Sequence, residues 1–282
     1  MKISSSAYSK YFRITLATGA ASILTYLILK NEINNLVVER INIPIKSLAP
    51  SLAGFRIVQI SDIHMWPIVN IHLVRKTVKL VNALQPDLIV ITGDFVTRFI
   101  GAIYRLAPEL EKLQGKHGVF ASLGNHDLWL NAEAITHTLN NSGVRVLINQ
   151  GVQIHTKGEF IWLAGIDDAI SGKPDLETAL HRISPEVPVA LLGHEPDFAD
   201  EVSLNGRVNL MLTGHSHGGQ IRFPVIGSPF KAHQARKYDL GLYKVNGMWL
   251  YVNRGIGVIT SVPIRLNCPP EISEFTLVPQ TS

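Results

Sequence analysis

The chain has very little cysteine: Cys268 is the only one in 282 residues. A single thiol excludes an intrachain disulfide framework, and it also excludes zinc or iron–sulfur chemistry that needs several thiolates. Because Cys268 stands before two prolines and away from the histidine-rich segments, we expect it to be a packed structural residue. Cysteine usage leaves the redox compartment open.

Charge is also sparse, since charged residues make up 17% of the chain and the net charge is +4. The basic residues are scattered except at 231–237, so a stripe that binds nucleic acid is not indicated. That segment is typical of a solvated loop, with a patch for phosphate or anionic lipid as the alternative. Internal repeats and low-complexity linkers are lacking too. The 46% hydrophobic content suits one large α/β domain.

Near the N-terminus, residues 14–29 form an uncharged apolar run between Arg13 and Lys30. Because this run approaches the shortest length that crosses a bilayer, we predict an uncleaved single-span membrane anchor, with an amphipathic surface helix or a cleaved signal peptide as alternatives. Equal numbers of lysine and arginine residues flank the two ends of this run, so the positive-inside rule does not decide its orientation. First membrane spans tend to place their N-terminus inside, which favours the rest of the chain on the outer, periplasmic face. The predicted organisation is a segment 1–30, a connector 31–53 and a domain 54–282.

Apolar, β-prone runs alternate with helical patterns through the predicted domain. The predicted strands are 55–60, 88–92, 119–123, 144–148, 160–164, 187–192 and 208–213. The predicted helices are 70–84, 106–113, 132–139 and 176–182. Beyond 217 the short strands 240–245, 249–253 and 272–277 suggest an antiparallel layer. This pattern predicts an α/β fold of two packed sheets flanked by helices.

Five of these strands end in groups of residues that can bind a metal. The groups are Asp62-Ile63-His64, Gly93-Asp94, Gly124-Asn125-His126-Asp127, Gly193-His194 and Gly214-His215-Ser216-His217. Each group has an ordinary explanation as a turn or helix cap, but five recurrences at the same structural place favour a shared site. Strand ends deliver their side chains to the carboxyl edge of a sheet, where open α/β proteins bind ligands.

Four histidines, two aspartates and one asparagine suit two divalent cations bridged by a carboxylate. Such a pair would clamp both oxygens of a phosphoryl displacement and would acidify a bridging water to hydroxide near neutral pH. Because the donors are nitrogen and oxygen without sulfur, we predict two ions per chain, Mn²⁺ first, with Fe or Zn²⁺ as alternatives to it and Mg²⁺ disfavoured.

Taken in order, the five groups resemble the calcineurin-like metallophosphoesterase superfamily from about residue 55 to residue 277. The resemblance implies a four-layer α/β/β/α sandwich. Further segments are similar to the membrane-anchored bacterial phosphodiesterase branch, which includes a UDP-diacylglucosamine pyrophosphohydrolase of lipid A synthesis: Gly165-Ile166-Asp167-Asp168, Gly172-Lys173-Pro174-Asp175-Leu176, His215-Ser216-His217-Gly218-Gly219-Gln220 and Asn253-Arg254-Gly255-Ile256-Gly257.

The resemblance also implies a role for each residue of the site. One metal would be held by Asp62, His64 and His217, and a second by Asn125, His194 and His215, with Asp94 bridging the two. The catalytic pair would be His126, which protonates the leaving oxygen, and Asp127, which holds its imidazole. Thr97 departs from the pattern, because many members carry an aspartate there, and this puts a supporting hydrogen bond in doubt.

The expected activity is hydrolysis of a phosphodiester or pyrophosphate bond by attack of a metal-bridging hydroxide. A lipid-linked substrate is one candidate for this reaction. Alternatives within this chemistry are the UDP-diacylglucosamine pyrophosphohydrolase reaction and a phosphomonoesterase. A metal-free scaffold of the same fold, binding a protein or lipid partner, is the rival from another class. Two residues outside the groups stay open: Arg254 as a phosphate clamp or a structural ion pair, and His233 as a residue that reaches the substrate or a surface histidine.

Overall fold

The computed structural model describes residues 32–46, 48–66, 71–181, 183–259 and 263–280, together with Thr15 and Thr18. Within these residues the strands are β1 (Val37–Ile45), β2 (Arg56–Ile60), β3 (Leu88–Thr92), β4 (Val119–Ser122), β5 (Val144–Val146), β6 (Gln150–Thr156), β7 (Glu159–Gly165), β8 (Val189–Leu192), β9 (Leu210–Thr213), β10 (Gly241–Val245), β11 (Met248–Val252) and β12 (Glu271–Pro279). The α-helices are α1 (Ile71–Ala83), α2 (Ile103–Leu110), α3 (Asn125–Asn141), α4 (Leu176–Ala179) and α5 (Ala199–Leu204). Short 3₁₀ turns cover Pro50–Leu52, Ile100–Ala102, Pro196–Phe198 and His217–Gly219.

The strands form two six-stranded mixed sheets. The first sheet has the order β1-β12-β2-β3-β4-β5, and the second has the order β10-β11-β9-β8-β7-β6. In the first sheet β2, β3, β4 and β5 run parallel, and in the second β7, β8, β9 and β11 do. Since parallel neighbours end at the same edge, β2, β3 and β4 end together, as do β8 and β9.

The sheets are covered on both faces, and β3 shows why its sequence is an unbroken apolar run. Leu88 and Val90 belong to a hydrophobic cluster that contains residues of both sheets, whereas Ile89 and Ile91 belong to a second cluster with the helices α1, α2 and α3. Successive side chains of a strand point to opposite faces, so a strand buried on both faces must be apolar throughout. A third cluster packs α4 and α5 against the second sheet. The predicted fold of two packed mixed α/β sheets with helices is confirmed.

Two features of the sheets go beyond what the sequence predicts. Residues 37–45, inside the predicted connector, form the edge strand β1, which pairs in parallel with β12. The predicted antiparallel layer after residue 217 divides instead: β10 and β11 join the second sheet, and β12 enters the first sheet antiparallel to β2. The charged residues Glu39, which is partly buried, and Arg40, which is exposed, hide the strand pattern of β1, because an edge strand carries charge where an inner strand cannot.

The membrane anchor predicted at 14–29, and with it the placement of the chain at a membrane with its domain on the outer face, is corrected. Across the described residues, no helix has both the length and the hydrophobicity that crossing a bilayer requires. Apart from Thr15 and Thr18, the predicted segment lies outside the residues that the structure describes. An uncharged run near the short limit for a span was a weak basis for the assignment, and we do not retain it.

Candidate metal centre

The five groups of candidate ligands meet at one place, where the ends of the two sheets face each other. Pairing between β2 and β3 continues past the strand ends, because the backbone N–H groups of Asp62 and His64 donate to the carbonyl oxygens of Gly93 and Asp94 at 3.1 and 2.9 Å. The second sheet joins them through the backbone N–H of His215, which donates to both carboxylate oxygens of Asp62 at 3.0 and 3.1 Å. The site is therefore built at the junction of the two sheets.

Glycines that precede the ligands make this close approach possible. A Cβ atom added to Gly124 would lie 2.4 Å from Asp94 Oδ1, and one added to Gly214 would lie 2.1 Å from Asp62 Oδ2. Neither position has room for a side chain, because the carboxylate of a neighbouring strand occupies the space. Gly124 and Gly214 are thus needed for the packing of strand ends against one another.

One group of possible ligands consists of Asp62, His64 and His217. His217 Nε2 lies 3.3 Å from Asp62 Oδ1 and 2.9 Å from His64 Nε2. All three residues are at least 98% buried. Two imidazole nitrogens thus face each other beside a carboxylate. This is the arrangement expected of three ligands that bind one cation.

Asp94 lies between this group and a second one formed with His194 and His215. Its Oδ2 atom is 3.4 Å from His64 Nε2 and 3.2 Å from His194 Nε2. Its Oδ1 atom accepts from the backbone N–H of His126 at 3.0 Å, which fixes the carboxylate in this orientation. The geometry is that of a carboxylate positioned to contact two cations.

Three of the histidines use one ring nitrogen to bond an oxygen atom of the protein. His64 Nδ1 lies 3.1 Å from Thr97 Oγ1, His194 Nδ1 lies 2.7 Å from the Thr92 carbonyl oxygen, and His215 Nε2 lies 2.7 Å from the His233 carbonyl oxygen. Such bonds orient metal-binding imidazoles and fix the tautomer whose other nitrogen carries a lone pair. The free nitrogen of each ring is then available to the site.

Buried acceptors without donors test whether metal ions fit. Among the described residues, Asn125 Oδ1 and His194 Nε2 are buried and have no hydrogen-bond partner. Asn125 lines the same cavity as His64, Asp94 and His215. A buried polar atom without a partner is costly unless an ion or water satisfies it. These atoms and the nitrogen and oxygen donor set fit divalent cations.

The charges of the site are strongly perturbed in the protein without metal. Burial raises the pKa of Asp62 to about 7 and lowers the pKa of His64 to about 3 and that of His215 to about 4. Burial also opposes ionisation of Asp94, but His194 outweighs it, so the pKa of Asp94 is lowered. His64 and His215 are therefore neutral beside an ionised Asp94, as a cation requires of its ligands. His194 differs, because Asp94 outweighs the effect of burial and raises the pKa of its imidazole.

His126 lies at the edge of the site, where the predicted contact with Asp127 is not the one observed. His126 Nδ1 is 3.2 Å from the Thr97 carbonyl oxygen. The carboxylate of Asp127 instead accepts from the backbone N–H groups of Gly124 and Phe95 at 3.1 and 3.0 Å. Asp127 is fully buried and joins the turn after β4 to the turn after β3. It therefore supports the backbone of the site, and the described contacts give it no hydrogen bond to the imidazole of His126, so its predicted role in holding that ring stays a prediction.

Of the residues left open by the sequence, Arg254 forms ion pairs with Glu39 and Glu271, which favours the structural interpretation over a phosphate clamp. Cys268 is buried, as predicted for a packed residue, and its Sγ atom lies 3.2 Å from the His217 carbonyl oxygen. His233 is exposed and lines the cavity over the metal ligands, and its carbonyl oxygen bonds His215.

Sequence reasoning missed several residues around the site. Arg265 is fully buried and donates to the carbonyl oxygens of Arg254, Gly257 and Cys268, which shapes the loop behind Asp62. Trp129 is 61% exposed, and its ring lies 4.8 Å from that of His126. Neither residue belongs to a recognisable pattern, since each acts through contacts between segments far apart in the sequence.

The chain belongs to the calcineurin-like phosphoesterase family, whose pattern matches residues 55–219. It is 36% identical over 228 residues to the uncharacterized metallophosphoesterase YkuE of Bacillus subtilis, covering 79% of each chain. It is 33% identical over 234 residues to the phosphodiesterase YaeI of Escherichia coli, covering 80% of this chain and 83% of that one. The predicted membership in the YkuE- and YaeI-like branch is confirmed, and the relatives support a hydrolase.

Two more distant comparisons agree with this placement. The chain is 32% identical over 285 residues to the transmembrane protein with metallophosphoesterase domain of Bos taurus, and it spans 62% of that protein's length. Among solved structures, a putative 5'-nucleotidase from Staphylococcus aureus has a TM-score of 0.50 at 10% identity, covering 80% of this chain and 55% of that one. The second likeness bears on the fold alone.

Proposed function

We propose that this protein is a dinuclear metal-dependent phosphodiesterase, with a pyrophosphate bond as the alternative target. The observation that carries the proposal is the position of Asp94 Oδ2, which lies within 3.4 Å of ring nitrogens from both ligand groups. Asp62, His64 and His217 would hold one cation, and Asn125, His194 and His215 the other, with Asp94 shared. The donor set favours Mn²⁺, with Fe or Zn²⁺ as alternatives.

Two cations bound there would stabilise negative charge on the phosphoryl oxygens. They would also lower the pKa of water towards neutral pH, so that hydroxide could form. The chain itself contributes binding and proton transfer. His126 borders the same cavity as the ligands, and its Nδ1 atom is held by the Thr97 carbonyl oxygen, so its Nε2 atom is left to donate a proton to the leaving ester oxygen. Burial of the surrounding side chains limits competing water.

The proposal includes an order of layers and an extent for the catalytic domain. The clusters on both faces of both sheets support a four-layer order of helices, sheet, sheet and helices. The sequence predicts a catalytic domain over residues 54–282. We propose that β1 belongs to this domain as well, because β1 pairs along its whole length with β12.

The proposal is tested first on Asp94. Full-length protein loaded with Mn²⁺ should hydrolyse bis(4-nitrophenyl) phosphate, and Asp94→Asn should reduce turnover to background, because a neutral amide cannot neutralise two cations. The control is Glu159→Gln, which makes the same change of charge on an exposed residue of β7. Full activity in the Asp94 variant would refute the proposal. Metal analysis of the unmodified protein should give two ions per chain, whereas a metal-free scaffold should give none.

A second test separates metal binding from proton transfer. His126→Ala should lower the rate by about 10²- to 10⁴-fold, the usual contribution of a positioned acid, while the metal content stays at two. His137→Ala is the matched control, because His137 is an exposed histidine of the same helix, α3. Equal rates for the two variants would show that His126 does not transfer a proton.

Rates on a diester, a monoester and a UDP-linked lipid then separate the phosphodiesterase from its alternatives.

A further inference from the structure

The cavity over the proposed ligands does not end at the metal centre. It has a volume of about 240 Å³, and its lining includes Trp129, Ile170, Ala232 and Ile259. Ala232 and Ile259 also line a second cavity of about 370 Å³. Because Ala232 and Ile259 line both cavities, the second cavity lies directly beside the one over the proposed ligands.

The second cavity has an apolar wall formed by Pro229, Phe230, Ala232 and Ile259, and we call it the apolar lobe. Its other lining residues are Ser216, Gly219, Gln220 and Lys231. Most of the surface that lines the lobe is apolar. This composition is typical of a site that takes an apolar part of a ligand.

The polar side chains of the lobe are already engaged within the protein. Ser216 Oγ accepts from the Gly218 backbone N–H at 3.0 Å. Gln220 accepts from the Ile259 backbone N–H at 2.6 Å and donates to the Ile264 carbonyl oxygen at 3.2 Å. Lys231 Nζ donates to the Arg236 carbonyl oxygen at 2.9 Å. A sugar or nucleobase placed here would lose hydrogen bonds to water and would gain few hydrogen bonds to the protein, which makes its binding unfavourable.

We propose that the apolar lobe binds an aliphatic substituent of the phosphoester, so that the substrate class is an amphiphilic phosphoester. This inference rests on the proposed function, because it assumes that the phosphoryl group lies at the metal centre. It names the chemistry of the substrate from the walls of the lobe, and it needs no membrane attachment of the enzyme. The phosphoryl group is held by charge and the chain by burial of apolar surface.

The experiment is isothermal titration calorimetry of full-length, Mn²⁺-loaded protein with methyl-, propyl- and hexylphosphonate, none of which can be hydrolysed. The dissociation constant should fall by roughly three- to fourfold for each added methylene, the value for complete burial of a methylene. Propylphosphonate should bind at least about tenfold more tightly than 2,3-dihydroxypropylphosphonate, since the hydroxyl groups would be desolvated without partners. Equal affinities along the alkyl series, or tighter binding of the diol, would overturn the proposal.

Variants of two exposed residues locate the effect. Phe230→Asp places a charge in the wall of the lobe and should flatten the dependence on chain length, while Phe230→Leu should keep most of it. Val225→Asp introduces the same charge at a fully exposed position that does not line the lobe, and it should leave the dependence unchanged. If Val225→Asp and Phe230→Asp behave alike, the alkyl chain does not bind in the lobe.

Failure of this inference and failure of the proposed function give different results. Hydrolysis of methyl 4-nitrophenyl phosphate with no effect of chain length on phosphonate binding would leave the phosphodiesterase standing and remove the apolar subsite. A clear effect of chain length without hydrolysis of any diester would support the subsite and remove the proposed activity.

Discussion

At the scale of single residues, the backbone of the proposed ligands is unusual. Asp62, His64, Asp94, His215 and His217 all have positive φ angles, between 46° and 63°. Aspartate and histidine tolerate this left-handed region better than most side chains, but it still costs about 1–3 kcal/mol where the structure enforces it. The tight turns bring two proposed ligands from each segment to the same site: Asp62 and His64 from the first, and His215 and His217 from the second.

Thr97 is the residue at which this chain departs from many members of its family, and the structure gives it a specific contact. Its hydroxyl lies 3.1 Å from His64 Nδ1, and the residue is 4% exposed. Thr97→Val keeps the shape but removes the oxygen, so we expect the affinity for metal to fall by about tenfold, the lower end of the usual loss. Competition for Mn²⁺ with a coloured chelator measures this.

Thr97→Ser keeps the hydroxyl and is the matched control, with an expected affinity close to that of the unmodified protein. Thr97→Asp should bind metal more tightly than the unmodified protein, because a carboxylate makes the imidazole of His64 more basic. Unchanged affinity in Thr97→Val would mean that the hydroxyl does not support His64.

The ligand groups could be predicted from the sequence because each is contiguous and follows a recognisable strand. The partners of Thr97 and Asp127 could not. Asp127 bonds the backbone of Phe95, 32 residues earlier, and Thr97 bonds His126, 29 residues later. Contacts of this kind depend on how two turns pack, and a sequence pattern carries no signal for that packing.

At the scale of elements, strands buried on both faces were predictable and the edge strand was not. The inner strand β3 is buried at every position and apolar at all but its last residue, Thr92, which few other elements allow. In contrast, β1 is partly buried or exposed except at Ile43 and Ile45, and it includes Pro44. A proline is tolerated at an edge, where its missing N–H has no partner to lose, but it argues against a strand when only the sequence is known.

Asp87 joins three elements and gives a prediction about stability and pH. Its carboxylate accepts from the Arg56 backbone N–H at the start of β2 and from Lys116 Nζ, both at 2.8 Å, just before β3 begins. Burial opposes ionisation, but the bond to Lys116 and that to Arg56 outweigh it, so the pKa of Asp87 is below its usual value of 3.8. Stabilisation by this carboxylate is therefore present above about pH 4 and is lost as the pH falls through the lowered pKa.

Asp87→Asn should accordingly reduce the free energy of unfolding by about 1 kcal/mol at pH 7, a value that allows for solvent screening of the ion pair. The difference from the unmodified protein should shrink as the pH falls from 4 through the lowered pKa of Asp87, below which the aspartic acid is uncharged like the asparagine. Urea unfolding at several pH values measures both quantities. A difference that grows as the solution is acidified would contradict this assignment.

At the scale of the whole molecule, the proposed ligands come from both sheets. Asp62, His64, Asp94 and Asn125 follow strands of the first sheet, while His194, His215 and His217 follow strands of the second. The packing of two sheets was predictable because the strands are apolar on both faces. The order of the strands was not, since a two-residue period specifies which face is buried and leaves the neighbouring strand undefined.

Metal bound between the sheets should therefore stabilise the entire fold. A cation at 100 times its dissociation constant adds about 2.7 kcal/mol to the free energy of unfolding, provided that the unfolded chain does not bind it. We expect addition of Mn²⁺ to raise the melting temperature and a chelator to lower it. Calorimetry should show the shift in Glu159→Gln and a much smaller one in Asp94→Asn. An equal shift in both variants would mean that the stabilising ion binds elsewhere.

The position of β12 in the first sheet has a consequence for the order of events during synthesis. It lies between β1 and β2, although it follows all the other strands in the chain. On the ribosome, β2 must therefore expose an unpaired edge, and β1 must wait undocked, until residues 271–279 have emerged. Exposed edges of this kind are prone to pair with other chains. The nascent protein is at its most vulnerable after most of its sequence, including every proposed metal ligand, has already been made.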